Sequence, residues 1–136
     1  MEQAGVEGAE IVVDLAAIRH NCSVIAEVVA PAALMAVVKA DAYGHGLIPV
    51  ALAARQAGVP WLGVATVAEG LELRRHGDTG RILAWLDLPG HVRYEEAADH
   101  DIDMTAYSRR ELREIAEGAQ AGSHGATAPT QRGPQP

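Results

Sequence analysis

Lys39 is the residue whose type and position point most directly to chemistry. It follows the apolar run Leu34–Val38, which has the length and continuous hydrophobicity of a buried strand. Because desolvating an ammonium group is costly, such a position favours the neutral amine, which is the form that condenses with a carbonyl. A lysine that ends a strand also often extends its head into solvent and has no further role. Position alone therefore makes Lys39 a candidate and names no reaction.

The loop after Lys39 has the composition of a site but no phosphate-binding pattern. Gly44 and Gly46 flank His45, and this spacing is neither a P-loop nor a dinucleotide-binding fingerprint. The two glycines are equally typical of ordinary loop punctuation. In parallel α/β folds, however, active sites are built at the carboxyl ends of strands, which is where this loop falls.

Composition excludes several other kinds of function. The formal net charge of -7 argues against nucleic acid or an anionic membrane surface as the main partner. The six histidines show no ligand spacing and Cys22 is the only cysteine, so we expect no metal site and no disulfide. No apolar run is long enough to cross a bilayer and the first ten residues do not resemble a secretory signal. The sequence therefore predicts a soluble, cytoplasmic protein.

The elements that must position Lys39 are indicated by apolar runs with helical patterns between them. The predicted strands are Leu34–Val38, Trp61–Val67, Ile82–Leu86 and, more weakly, Ile102–Tyr107. The first predicted helix is capped by Asp14 and has the apolar stripe Leu15, Ile18, Cys22, Ile25 and Val29. The last predicted helix begins with a Ser108–Glu111 capping box. The three between them lie between Pro49 and Gly58, over Ala68–His76 and over Val92–Ala98. This alternation predicts a parallel α/β sheet, either open and doubly wound or part of a barrel.

The two ends of the chain differ in composition from the middle. We expect residues 1–9 to be a disordered amino terminus, residues 10–117 to be the folded domain, and residues 118–136 to be a disordered tail. The tail has no Ile, Leu, Val, Met or aromatic residue and cannot bury enough apolar surface to offset ordering entropy. Because the change is abrupt, we interpret the tail as out of frame with the domain. Reading the alternative frames of the coding DNA tests this interpretation.

The stretch around Lys39 resembles the attachment signature for pyridoxal 5'-phosphate in alanine racemases. The signature residues are Val38-Lys39-Ala40-Asp41-Ala42-Tyr43-Gly44-His45-Gly46. Three other segments resemble the family in the expected order: Val13–Asn21 its opening strand and helix, Gly63–Ala65 with Ala68–Arg74 its second strand and next helix, and Ile82–Leu86 its third strand. The likeness spans about residues 10 to 117.

This resemblance implies a fold, a reaction and a set of site residues. The fold would be the first half of a (β/α)8 TIM-type barrel, with four βα units, and incomplete. The reaction would be interconversion of L-alanine and D-alanine, which supplies D-alanine for peptidoglycan, with serine as a secondary substrate. Lys39 would attach pyridoxal 5'-phosphate and serve as one of two catalytic bases. Tyr43 would hydrogen-bond the cofactor phosphate, while Val37 and Trp85 would line the cofactor ring.

The resemblance also implies that part of the site lies outside this sequence. In the family the opposite base is a tyrosine of the carboxyl-terminal domain, supplied across a homodimer interface. Supporting arginines and most phosphate ligands also come later in the chain, and none has a counterpart here. Two alternatives therefore stay open: a pyridoxal-phosphate-binding protein without turnover, and an inactive truncated fragment. Four βα units alone would leave an exposed sheet edge prone to aggregation.

Overall fold

Four parallel strands form the sheet, and each pairs with the strand that follows it in the chain. The computed structural model describes residues 8–122 apart from 89 and 91. Its strands are β1 (Met35–Val37), β2 (Trp61–Val64), β3 (Arg81–Ala84) and β4 (Ile102–Met104). The segments between and around them are α1 (Leu15–Val29), the short turn α2 (Lys39–Gly44), α3 (Leu47–Gln56), α4 (Val67–Arg75), α5 (Tyr94–Asp99) and α6 (Arg109–Ala121). The predicted alternation of strands and helices is confirmed.

Side-chain caps begin several of the helices. The Asp14 carboxylate accepts the backbone N–H groups of Ala16 and Ala17 at 2.8 and 3.1 Å, as expected for an N-cap. Thr66 and Glu69 form a reciprocal capping box at the start of α4. Among the described residues, no helix has the length and apolar character that a membrane span requires.

One face of the sheet is closed by the helices. Alternate strand residues point toward α3, α4 and α5 and are between 0 and 4% exposed: Val38, Leu62, Val64, Ile82, Ala84 and Ile102. They pack with apolar residues of the helices into one core. Burial of this apolar layer is the main contribution that favours folding.

The other face of the sheet is open. Val37, on β1, is 38% exposed, and the Trp61 ring on β2 contacts the Arg81 guanidinium, 4.0 Å from its centroid. Strands in sequential order with helices on one face form a barrel wall, whereas a doubly wound sheet has helices on both faces. Within the described residues β1 and β4 are edge strands, so the barrel is not closed. The fold class is therefore the predicted one: a partial (β/α) barrel of four units.

The predicted carboxyl-terminal boundary of the domain, at residue 117, falls within a helix. Helix α6 continues to Ala121, so order does not end at residue 117. The reason is tertiary: a Cβ on Gly118 would lie 2.5 Å from the Tyr94 Cβ, which means that the helix packs closely on α5 at this point. The composition argument misses such packing because it counts only large apolar side chains, and glycine has none. Residues 1–7 and 123–136, which include most of both predicted disordered segments, lie outside the described residues.

Two local details also differ from the sequence-based expectation. Helix α3 begins at Leu47, two residues before Pro49. At the start of α6, Ser108 accepts the N–H of Glu111 at 3.1 Å, but the Glu111 carboxylate accepts the N–H of Tyr107 at 2.8 Å instead of completing the box on Ser108. The Glu111 carboxylate therefore bonds the amide one residue before the one that a regular capping box would use.

Candidate active site

The segment after β1 winds in the left-handed sense. Ala40, Asp41, Ala42 and Tyr43 have φ between 51 and 56° and ψ between 35 and 53°. For residues with a Cβ this conformation costs roughly 1–2 kcal/mol each, and runs of it are rare. Strain of this kind persists only where the surroundings determine it, and it concentrates at functional sites. Lys39 lies at the junction between the extended strand and this left-handed turn.

Hydrogen bonds and packing hold the turn in this conformation. The Ala42 N–H donates to the Val38 carbonyl at 2.9 Å, and the Ala42 side chain is 5% exposed within the core. At the far end of the turn, the Asp41 carboxylate accepts the Leu47 N–H at 2.7 Å, which links the turn to the first residue of α3. Gly46, with φ of 93°, makes the connection between them.

Glu69 joins this turn to the neighbouring strand. One carboxylate oxygen accepts the Ala40 N–H at 2.8 Å, and the other accepts the N–H groups of Ala65 at 2.7 Å and Thr66 at 3.3 Å. A single carboxylate thus satisfies amides from two adjacent βα connections. These bonds offset part of the conformational cost of the left-handed turn.

The Lys39 amine extends from the turn at the carboxyl end of the sheet. Its Nζ lies 4.7 Å from the centroid of the Tyr43 ring, a cation–π contact, and the lysine is half-buried. Among residues 8–122, no carboxylate forms a salt bridge with it. The amine is therefore positioned without being neutralised by a counter-charge.

Val37 and Trp85 lie at the carboxyl end of the sheet, on its open face. Val37 pairs in register with Gly63 of β2, and the Trp85 ring lies over Gly63. A Cβ at Gly63 would be 2.5 Å from the Trp85 ring, so only glycine permits this approach. The Tyr107 hydroxyl donates to the Trp85 carbonyl at 2.7 Å, which ties the loop after β4 to the loop after β3. The structure thus brings Val37, Trp85, Lys39 and Tyr43 to the same end of the sheet.

The first backbone amides of α3 and α4, at this end of the sheet, donate to side chains of the chain itself. The Val67 N–H, at the start of α4, donates to the Asp87 carboxylate at 2.9 Å, and the Leu47 N–H, at the start of α3, donates to Asp41. Burial raises the pKa of Asp87, and the nearby charge of Glu69 raises it further, while the Val67 bond opposes both. The first amide of each of these two helices is therefore already bonded within the chain.

Three contributors to the site were missed by sequence reasoning: the left-handed turn, Asp41 as its brace, and Glu69 as its link to β2. A signal for Glu69 existed, because Thr66 and Glu69 have the spacing of a capping box. That pattern predicts a bond to the helix start only. The bond to Ala40 joins residues 29 apart in the chain, and no local rule finds it.

Comparison with known proteins identifies the family of this arrangement. The sequence profile of the family described as "Alanine racemase, N-terminal domain" matches residues 13–130. The alanine racemase of Mycolicibacterium smegmatis is 47% identical over 112 residues, which cover 82% of this chain and 28% of that protein. The chain thus spans little more than a quarter of that relative. The matched profile range also runs beyond residue 117, and the out-of-frame interpretation of the tail stays a prediction.

Solved structures share the same architecture over most of the chain. The alanine racemase from D-cycloserine producing Streptomyces lavendulae matches with a TM-score of 0.77 and 46% identity, covering 80% of this chain and 28% of that one. The alanine racemase from Streptomyces coelicolor A3(2) matches with a TM-score of 0.76 and 45% identity, covering 80% and 29%. Both likenesses support the four βα units as one segment of a larger barrel.

Proposed function

This chain belongs to the alanine racemase family, whose amino-terminal domain it matches, and from that premise we propose that it binds pyridoxal 5'-phosphate through Lys39. In this proposal the chain forms one half of an active site that interconverts L-alanine and D-alanine. The observation that carries it is the Lys39 amine, held by a strained left-handed turn at the carboxyl end of β1 and free of a carboxylate partner among the described residues.

The residues present fit this cofactor. A flat aromatic ring can lie against Val37, which is 38% exposed on the open face, and against the half-buried Trp85. Tyr43 is 59% exposed, so its hydroxyl is available to a phosphate oxygen. We propose that the remaining phosphate ligands come from outside residues 8–122, since the first amides of α3 and α4 are already bonded within the chain.

The proposed chemistry gives Lys39 two tasks. When bound, pyridoxal phosphate supplies an electron sink for the charge left at the α-carbon of the amino acid. Lys39 Nζ holds the cofactor and then removes or returns the α-proton on one face of the substrate. Inversion requires a second acid–base group on the opposite face. We propose that this group comes from the part of a full-length racemase that this chain does not span, assembled as a homodimer.

Two alternatives predict different behaviour of the same chain. A binding protein without turnover would attach the cofactor and leave alanine unchanged, and an inactive fragment would do neither. The open face favours attachment without racemisation by this chain alone, since no residue in the described part of the chain has been assigned as the acid–base group of the opposite face. The single cysteine fits a cytoplasmic location, which stays a prediction.

The test is reductive trapping of the purified chain with pyridoxal phosphate and borohydride, followed by peptide mapping. Lys39 is the only lysine in the sequence, so the amino terminus is the only competing amine. We expect visible absorbance of the attached cofactor and trapping at Lys39, both abolished in Lys39→Ala and Lys39→Arg. Trapping confined to the amino terminus would contradict the proposal. Racemisation by the chain alone would contradict the half-site assignment while leaving the cofactor assignment in place.

A further inference from the structure

We infer that Glu69 is the positioning residue for Lys39. The inference rests on the proposed function, in which the Lys39 amine is the reactive group. Glu69 does not touch that amine. It acts through the backbone, by fixing the peptide group that directly follows Lys39.

The geometry places the Glu69 carboxylate at a junction of two βα connections. Its Oε1 accepts the Ala40 N–H at 2.8 Å, and its Oε2 accepts the Ala65 N–H at 2.7 Å, at the end of β2. The carboxylate therefore sets the spacing between the turn after β1 and the end of the neighbouring strand. Each bond has a charged acceptor, which makes it shorter and stronger than a bond between neutral groups.

The Ala40 N–H is the group through which Lys39 can be aimed. Locating this nitrogen fixes the plane of the Lys39–Ala40 peptide and hence ψ of Lys39, which sets the direction in which the lysine side chain leaves the backbone. Ala40 is also the first residue of the left-handed run, with φ of 52°. Without the bond, nothing else described accepts this N–H, and the backbone can relax toward the right-handed or extended regions.

The simpler interpretation is that Glu69 only caps α4. It does complete the capping box with Thr66, whose hydroxyl accepts the Glu69 N–H at 3.3 Å. That role would affect the stability of α4 and would leave the turn after β1 unchanged. The two roles are separable because Thr66 contributes to the cap and makes no bond to Ala40.

The experiment compares Glu69→Gln with the control Thr66→Val in the purified 136-residue chain. Glutamine has one acceptor oxygen and an NH2 group, so it cannot accept N–H groups from both sides as the carboxylate does. Three quantities are measured: hydrogen exchange of the Ala40 amide by NMR, the rate at which Lys39 reacts with trace acetic anhydride across pH, and the rate of pyridoxal-phosphate trapping at Lys39. Because Lys39 is the only lysine, peptide mapping assigns both labels without ambiguity.

For Glu69→Gln we expect exchange of the Ala40 amide to rise about tenfold, as for loss of a hydrogen bond to a charged group. We expect trapping at Lys39 to slow roughly ten- to a hundredfold, as for a displaced reactive group. The rate at which acetic anhydride acylates Lys39 should also differ from the rate in the original chain, because the amine is displaced. Thr66→Val should lower the melting temperature and leave all three quantities within about twofold of the original chain, once corrected for the folded fraction.

The positioning role is overturned if Glu69→Gln resembles Thr66→Val, with a lower melting temperature and an unchanged Ala40 amide and Lys39 amine. If Glu69→Gln does not fold, Glu69→Asp replaces it, since aspartate keeps the charge but is one methylene too short to bridge both sides. Failure of the proposed function has a different signature: no cofactor is trapped even in the original chain. In that case amide exchange and acylation still decide whether Glu69 positions Lys39.

Discussion

Two aspartates at opposite ends of strand β3 have opposite environments. Asp78, before the strand, is bonded by Arg55 at 2.7 Å and by Arg74 at 3.1 Å, with its side chain 11% exposed. Asp87, after the strand, forms no salt bridge among the described residues, and burial raises the pKa of its carboxyl. The amino end of the sheet, here called the paired end, thus joins Asp78 to two arginines, whereas at the carboxyl end, here called the unpaired end, Asp87 has no such partner among the described residues.

The paired end fastens the loops that enter the strands. Besides Asp78, the guanidinium groups of Arg55 and Arg74 donate to backbone carbonyls around the starts of β2, β3 and β4. The acceptors are Val59, Pro60 and Arg81 for Arg55, and Asp78, Gly80, His100 and Asp101 for Arg74. Each of the three guanidinium nitrogens of Arg55 and of Arg74 thus has at least one hydrogen-bond partner.

The unpaired end contains the left-handed turn, the Lys39 amine and the carboxylates of Glu69 and Asp87. Its backbone conformation is costly and its reactive amine has no counter-charge among residues 8–122. In (β/α) barrels the amino-terminal face serves stability and the carboxyl-terminal face serves catalysis. The two ends of this partial barrel differ in the same sense, and the catalytic role of the carboxyl-terminal end belongs to the proposed function.

The largest expected effect comes from breaking the paired end. Asp78→Ala leaves two largely buried arginines without their carboxylate and should lower the free energy of unfolding by about 3–5 kcal/mol. Urea denaturation measures this. The control is Asp103→Ala, which breaks the exposed Arg81–Asp103 pair and should cost no more than about 1 kcal/mol. Equal losses in the two variants would contradict the assigned role of Asp78.

A smaller effect of opposite sign is expected at the strained end. Ala40→Gly removes the Cβ penalty of a left-handed residue and should raise the free energy of unfolding by about 1 kcal/mol. Ala40 is exposed, so no packing is lost. The same change at exposed Ala116, within right-handed α6, should lower it by about 1 kcal/mol. Thermal unfolding measures both changes. If both substitutions destabilise the chain, the left-handed backbone at Ala40 is not strained.

The smallest effect concerns the unpaired aspartate. Because the pKa of Asp87 is raised in the folded state, its contribution to stability is present below the unfolded pKa and is lost as pH rises through the folded value. Asp87→Asn keeps an acceptor for the Val67 N–H and should stabilise the chain at pH 7, by less than about 1 kcal/mol. This advantage should fade as pH falls through the raised pKa of Asp87. The measurement is thermal unfolding of Asp87→Asn and of the original chain over a pH series. A stability advantage of Asp87→Asn that grew toward acid pH would contradict the raised pKa of Asp87.

Much of the fold could be predicted because it follows from short-range patterns. Apolar runs marked all four strands, the fourth more weakly because Asp103 and Thr105 interrupt it, and the Asp14 cap lies where its spacing indicated. The position of Lys39 at the end of β1 also follows from the pattern. The choice between an open sheet and a barrel did not, since it depends on which face the helices cover.

The site was less predictable for a physical reason. Ala40, Asp41, Ala42 and Tyr43 are residue types whose chirality favours right-handed backbone, so no local propensity predicts four left-handed residues in a row. The end of α6 has a similar basis, because Gly118 lies within the helix at a place where an added Cβ would collide with Tyr94. In both cases tertiary contacts outweighed the local preference.

The sequence by itself determined the order of strands and helices, the caps and the location of one lysine at the end of the first strand. These depend on hydrophobic periodicity and on hydrogen bonds between residues a few positions apart. Only the tertiary structure decided the handedness of the turn that bears Lys39, the reach of Glu69 to Ala40 and the sharing of Asp78 by two arginines. Those features join residues distant in the chain, and their bonds form only when the strands are already side by side, which is why they can stabilise a conformation that the local residues disfavour.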